Sequence, residues 1–168
     1  MVFNHSMDLL DLKIIESLLR DSETPLLEIG KKCGINSSSA ISKRIRKMKE
    51  DGIILKSEAV VNYDKLGFEF VTVTFIKAKF GHDYTSKLAE KLLSIDGIIT
   101  LLEILGETDF IMIALNKSQK DYRETLSYLM SLEEIERSDT RVVINGFRMH
   151  DLSNLRLFPG KEDIIGER

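Results

Sequence analysis

Between Ile29 and Lys49 the chain carries seven Lys or Arg and no Asp or Glu. The stretch reads IGKKCGINSSSAISKRIRKMK, two helical patterns separated by Cys33-Gly34-Ile35-Asn36. A short basic helix, a glycine turn and a second basic helix describe a helix-turn-helix of the kind that lies against duplex DNA. The plainer alternative, a solvated basic face, competes with that reading on charge alone.

Charge distribution sharpens the point. The net charge of the 168 residues is −3, which says nothing about nucleic acid. Residues 1–62 hold 10 basic and 9 acidic side chains, whereas residues 63–168 hold 14 and 18. The clustered positives therefore sit in the less acidic part, as the electrostatic footprint of a DNA reader requires. At 43% apolar and 30% charged, the composition is that of a globular chain able to build a packed core. No apolar run approaches the ~20 residues of a membrane helix, and the start lacks the features of a signal peptide, so the expectation is a cytoplasmic protein with no membrane contact. The single Cys33 allows no intrachain disulfide and has no spacing partner for a metal site. No cofactor and no glycine-rich phosphate loop is indicated.

Three helices are expected in the first part. Asp8 to Leu19 places apolar residues at 10, 14, 15 and 18 on one stripe, with Asp8 and Asp11 at the positive end of the dipole. Pro25 opens a second helix, capped by Thr24, that runs to Cys33 and is closed by Gly34. Ser37 caps the third, which reaches Glu50 or Asp51 before Gly52. Its Ala40, Ile41, Ile45 and Met48 point inward. Ser38, Ser39, Ser42, Lys43, Arg46 and Lys49 point outward, with Arg44 and Lys47 on the flanks. Small hydroxyl residues let a helix start approach base edges and phosphates, and Arg and Lys further along can bond either. A capping role alone accounts for Ser37 but not for the other three serines beside the cations. Ile53 to Asn62 reads as one or two short strands, a wing in which Lys56 and Ser57 are placed to touch phosphate. The expected DNA-facing set is thus Ser37, Ser38, Ser39, Ser42, Lys43, Arg44, Arg46, Lys47, Lys49 and Lys56.

After a linker at residues 63–69, the pattern changes. Phe70 to Phe80 is β-branched and aromatic, a long strand. Gly81-His82-Asp83 turns the chain, Tyr84 to Ile95 is helical, and Ile98 to Leu105 and Phe110 to Leu115 are strands. Ser118 caps a helix to Ser131, and Thr140 to Met149 is expected as the last strand. The order β-α-β-β-α-β is a ferredoxin-like arrangement. An internal echo supports it: Leu92 to Ile98 resembles Leu129 to Ile135, 37 residues later. With both helices on one face, the other face needs cover, and Phe70, Thr72, Thr74, Ile111 and Ile113 are candidates for it. A second subunit is the simplest cover. The fold class is α+β, with a winged helix-turn-helix at 1–62, a linker at 63–69, a ferredoxin-like domain at 70–150 and a tail at 151–168.

With these residues in place, the chain resembles the Lrp/AsnC family of feast/famine transcription regulators. The resemblance covers roughly Asp8 to Met149. It rests on DLLDLKIIESLL, on LLEIGKKCGINSSSAISKRIRKMKEDGII, on Lys65-Leu66-Gly67-Phe68, and on Gly106-Glu107-Thr108-Asp109-Phe110, which looks like the family's G-[DE]-x-D-[YF] signature. It implies a regulator that binds double-stranded DNA, dimerises through its second domain and assembles further into tetramers or octamers. It also implies an amino-acid effector at subunit interfaces near Gly106, Glu107, Thr108 and Asp109. Turn amides suit a carboxylate, and Asp109 or Glu107 suits an ammonium. The competing reading is a tight turn in which Asp109 bonds its own backbone. Two other functions fit the same scaffold: a sirohaem-decarboxylase-like enzyme, and an architectural DNA binder without effector. The enzyme would need His or Arg converging on a large pocket. His5, His82 and His150 show no paired acid or base, so a non-enzyme is expected.

Overall fold

The computed structural model describes residues 7–79 and 84–146. They form two compact units, with the break between Val60 and Val61. The expected turn at Gly81-His82-Asp83, the tail at 151–168 and all three histidines lie outside the described residues.

Among the described residues the first unit has three helices: α1 (Leu9–Arg20), α2 (Leu26–Lys32) and α3 (Ser38–Glu50). α1 starts with a reciprocal cap, in which the Asp8 carboxylate accepts from the Leu10 and Asp11 amides and the Asp11 carboxylate accepts from the Asp8 amide. Three orphan donors at the helix start are thereby satisfied. Thr24 does not cap α2, as the sequence had implied. Pro25 takes the cap position without a side-chain bond, and the Thr24 hydroxyl donates back to the Asp21 carbonyl. Ile14, Ile29, Ile41 and Met48 form the core, one or two from each helix, and the half-buried Cys33 packs beside them with its thiol pushed up by burial.

Two glycines set the turn between α2 and α3. Gly34 takes φ 74°, the left-handed conformation its position after α2 requires. Gly30 answers to space instead. A Cβ there would lie 2.4 Å from the Ile35 carbonyl oxygen, and the Ile35 amide donates to the Gly30 carbonyl at 2.8 Å. The chain leaving α2 therefore folds back directly on the helix backbone.

The expected wing strands do not form. The Ile53 and Ile54 amides both donate to the Met48 carbonyl, so the chain hooks back over the end of α3 and both side chains join the core. Beyond them residues 55–62 form neither helix nor strand, and Leu55 is 86% exposed.

The second unit holds β1 (Phe70–Ala78), α4 (Tyr84–Leu93), β2 (Ile98–Glu103), β3 (Phe110–Asn116), α5 (Gln119–Ser131) and β4 (Ile135–Val142). The sheet order is β2-β3-β1-β4, antiparallel throughout. This is the expected β-α-β-β-α-β arrangement. Residues 63–68 belong to this unit, where Asp64–Leu66 make a 3-10 turn and Tyr63 meets Phe68 edge to face. Ile76, Phe110 and Met112 from the sheet meet Leu88, Leu92 and Leu129 from the helices in one core.

Two details differ from the sequence reading. β4 begins at Ile135, five residues ahead of the expected Thr140. Its residues IERSDTRV are mostly polar because it is an edge strand with little of it buried. The strand assignment on the uncovered face also changes. Thr72 and Thr74 are buried beneath the helices, bonded through Asn116 and Thr140, and Phe70 packs on Tyr122 of α5. Val71, Val73 and Phe75 alternate with them and lie half-buried on the other face beside Ile111 and Ile113.

Gly30→Ala forces its methyl against backbone, so it is expected to destabilise the first unit by about 1–3 kcal/mol. Chemical denaturation followed by circular dichroism measures the loss; an unchanged midpoint would show that α2 and the turn have room to separate.

Candidate nucleic-acid interface

The inward face of α3 fixes what its outward face can do. Ile41 and Met48 are 0% and 1% exposed. Burying each of two such side chains stabilises by about 1.5–3 kcal/mol, several times an exposed ion pair. These contacts, not the charges, decide which way the helix is turned. Ser37 starts it, accepting from the Ala40 amide at 3.3 Å and bonding the Ser39 hydroxyl at 2.9 Å.

Opposite the core, Ser39, Lys43, Arg46, Lys47 and Lys49 are exposed, with Ser38 and Ser42 half-buried beside them. Lys43, Arg46, Lys47 and Lys49 make no ion pair with any described residue. Four uncompensated cations along one helix create a strongly positive strip, and a strip of this kind binds polyanions through counterion release. Lys31 on α2, also exposed, adds a cation that the sequence reading did not include among the contact residues.

Two members of the expected set are placed differently. The Arg44 Nη1 bonds Asp8 and Asp11 at 2.8 Å each, tying the middle of α3 to the start of α1. The Asp11 side chain is 4% exposed, so this pair is largely removed from solvent on the acidic side. The Asp11 backbone amide, with the Arg44 guanidinium beside it, holds the Asp8 carboxyl below its ordinary range, and the two carboxylates in turn raise the affinity of Arg44 for its proton. Lys56 lies in the segment after α3 that forms no strand, with its ammonium paired to Glu58.

In the second unit, the loop before β3 presents Gly106 and Glu107 as exposed residues and Thr108 as half-buried. Asp109 is engaged. Its Oδ2 accepts from the Ala78 amide at 2.7 Å and its Oδ1 from Lys77 Nζ at 3.1 Å. Its own amide donates to the Ile76 carbonyl at 2.8 Å. The β1–β3 ladder ends at the pair Ile76 and Phe110, and the carboxylate satisfies the Ala78 amide just beyond it. Asp109 thus bonds the backbone of a neighbouring strand rather than that of its own turn.

No helix among the described residues is long and apolar enough to cross a membrane. A helix-turn-helix with a bare cationic helix, followed by a four-stranded α+β unit, defines a two-part DNA-binding transcription regulator. Comparison with known proteins agrees. Residues 7–54 match the family model for winged helix-turn-helix DNA-binding, and residues 70–152 match that for the Lrp/AsnC ligand binding domain. The HTH-type transcriptional regulator FL11 of Pyrococcus furiosus is 34% identical over 138 residues, covering 82% of this chain and 89% of that protein. The solved structure of Escherichia coli AsnC superposes with a TM-score of 0.76 at 28% identity, over 86% of this chain and 97% of that one. A transcriptional regulator of Neisseria meningitidis solved as an L-Met complex shares the fold, with a TM-score of 0.79 at 16% identity over 86% and 94% of the two chains. The chain belongs to the Lrp/AsnC family of DNA-binding transcriptional regulators.

Arg44 and Arg46 should separate on mutation. Arg44→Met removes the two bonds that tie α3 to Asp8 and Asp11 at the start of α1 and is expected to cost about 1–3 kcal/mol of stability, whereas Arg46→Ala should leave the melting temperature within a degree or two. The Asp8 shift adds a pH signature. Its contribution is complete above the ordinary aspartate value of about 3.9 and fades as pH falls below it, so wild type should lose more stability than Arg44→Met between about pH 5 and 3. Thermal melts across that range read both effects; equal pH slopes would remove the clamp.

Proposed function

We propose that α3 lies in the major groove and that Ser38, Ser39, Ser42, Lys43, Arg46, Lys47 and Lys49 make the contacts. The observation that carries this is the set of four exposed cations, unpaired among the described residues, on the face opposite Ile41 and Met48. Ser37 serves as the helix cap, Arg44 as the strut that holds α3 to α1, and Lys31 and Lys56 as lesser phosphate contacts. The protein acts in the cytoplasm as a regulator and not as an enzyme. Its working form is a homodimer, joined through the half-buried face of Val71, Val73, Phe75, Ile111 and Ile113, and larger assemblies of tetramer or octamer size build on it. Two recognition helices then read a two-fold site with half-sites ~34 Å apart or a multiple of that distance.

An amino acid is the effector, bound at the loop of Gly106, Glu107, Thr108 and Asp109. Support comes from relatives: the Neisseria protein and a feast or famine regulatory protein of Mycobacterium tuberculosis were each solved with methionine. In this chain Asp109 is held by Ala78 and Lys77, so the exposed Glu107 is the carboxylate left in the loop for a ligand ammonium.

DNA affinity is expected to fall steeply with salt, with log K against log salt declining by about 0.9 for each phosphate neutralised. Arg46→Ala should weaken binding and flatten that slope by about one contact while the oligomer persists. Fluorescence anisotropy on genomic fragments, with light scattering for assembly, tests both; a salt-independent affinity would overturn the groove reading. Calorimetric titration with the twenty amino acids tests the effector, and Glu107→Gln should weaken any heat that is found. Silence with every amino acid would favour the effector-free architectural alternative.

A further inference from the structure

The second unit contains a cleft of about 650 Å³ at the end of β3 far from the Gly106–Asp109 loop. That volume lies within the range of small-molecule sites, about 300–1,000 Å³. Ile95 and Leu115 give it an apolar base, and Phe68 and Tyr128 provide aromatic walls. Its charged lining is uneven, with Asp96, Asp121 and Glu124 against Lys117 alone. Glu124 meets Lys120 at 3.7 Å, an exposed contact that neutralises little.

We propose that this cleft binds an organic cation with two or more ammonium groups on a short chain, a diamine or polyamine. Two observations specify the chemistry. First, the cleft already seats one ammonium against an aromatic face: Lys117 Nζ lies 5.4 Å from the centroid of the Phe68 ring. This is the geometry in which a ligand ammonium gains from a ring quadrupole, supplied here by the protein's own side chain. Second, the carboxylates come from two places, Asp121 and Glu124 one turn apart on α5 and Asp96 in the turn before β2. No group of three His, Cys, Asp or Glu among the described residues is placed to hold a metal ion. A single hard cation, which needs about six converging oxygens, is therefore a poor fit. Separate positive charges joined by methylenes fit better, since the methylenes lie on Ile95 and Leu115 while the ammonium groups reach separate carboxylates. Phe68 gives the site a consequence. It belongs to the segment that leads from the DNA-binding unit into β1, so an occupant of the cleft fixes the end of that connector.

The test uses the full chain without DNA and 1,4-diaminobutane as probe, followed by methyl NMR and calorimetry. The Ile95 and Leu115 methyls should shift and that of Ile41 in the first unit should not. Asp121→Asn combined with Glu124→Gln should weaken binding about tenfold or more, and Lys117→Met, which removes the competing ammonium, should tighten it several-fold. Opposite responses from two variants on the same cleft also guard against a folding defect in either. Glu107→Gln, at the distant loop, should weaken any amino-acid heat and leave the diamine affinity as in wild type, so this site and the amino-acid site can fail independently. The proposal is overturned if saturating diamine leaves Ile95 and Leu115 unmoved, if the double variant binds as wild type does, or if the shifts scatter over the acidic surface and vanish at about 0.15 M salt.

Discussion

Burial of Ile41 and Met48 against Ile14 and Ile29 governs how the DNA-binding unit presents itself. Once those side chains are inside, the 100° step of an α-helix leaves Lys43, Arg46 and Lys49 nowhere to go but out. Gly30 makes the arrangement possible by letting the Ile35 backbone approach α2 without an intervening side chain. Arg44 then restrains α3 at its middle by bonding both acidic residues at the start of α1. Charge in this unit thus has two duties kept apart by a few ångströms: one arginine holds the helix and its neighbours remain free for phosphate.

The second unit follows from one-sided cover. Thr72, Thr74, Ile76 and Ala78 are buried under α4 and α5, and the alternate residues of β1 are left half-buried on the opposite side. The polar members of the buried row are reconciled by Asn116, whose amide donates to the Thr72 hydroxyl and the Ala114 carbonyl. Asp109 does the corresponding work for the Ala78 amide, just beyond the last β1–β3 pair. Substitution of Asp109 would therefore disturb strand register as well as any ligand, which makes Glu107 the cleaner probe of the loop.

What was legible in the sequence was local. Spacing alone gave all three helices of the first unit, the faces of α3, the caps at Ser37 and Ser118, and the β-α-β-β-α-β order, because each depends on residues three or four apart or on alternation. What was not legible depended on partners far along the chain. Arg44 lies among cations in sequence but meets acids 33 and 36 positions away. Asp109 finds its donor 31 positions back. Ile53 and Ile54 look like strand residues, yet the nearest apolar surface is the end of α3, and they fold onto it. β4 was displaced because its polar edge hides it from any hydrophobicity pattern, although the repeat that aligns Ile98 with Ile135 marks where each strand begins.

That polar edge has a bearing on how copies of the chain can associate. β4 closes one side of the sheet with Glu136, Arg137, Asp139 and Arg141 along it, the last two ion-paired beside the Phe75 ring. Edge-to-edge growth of one sheet into the next would strip these exposed charges of water, so it is disfavoured on that side. Contact through the broad faces of the sheets is self-limiting, because each face is used up by a single counterpart. On the β4 side of the sheet the charged strand therefore works against open-ended strand addition.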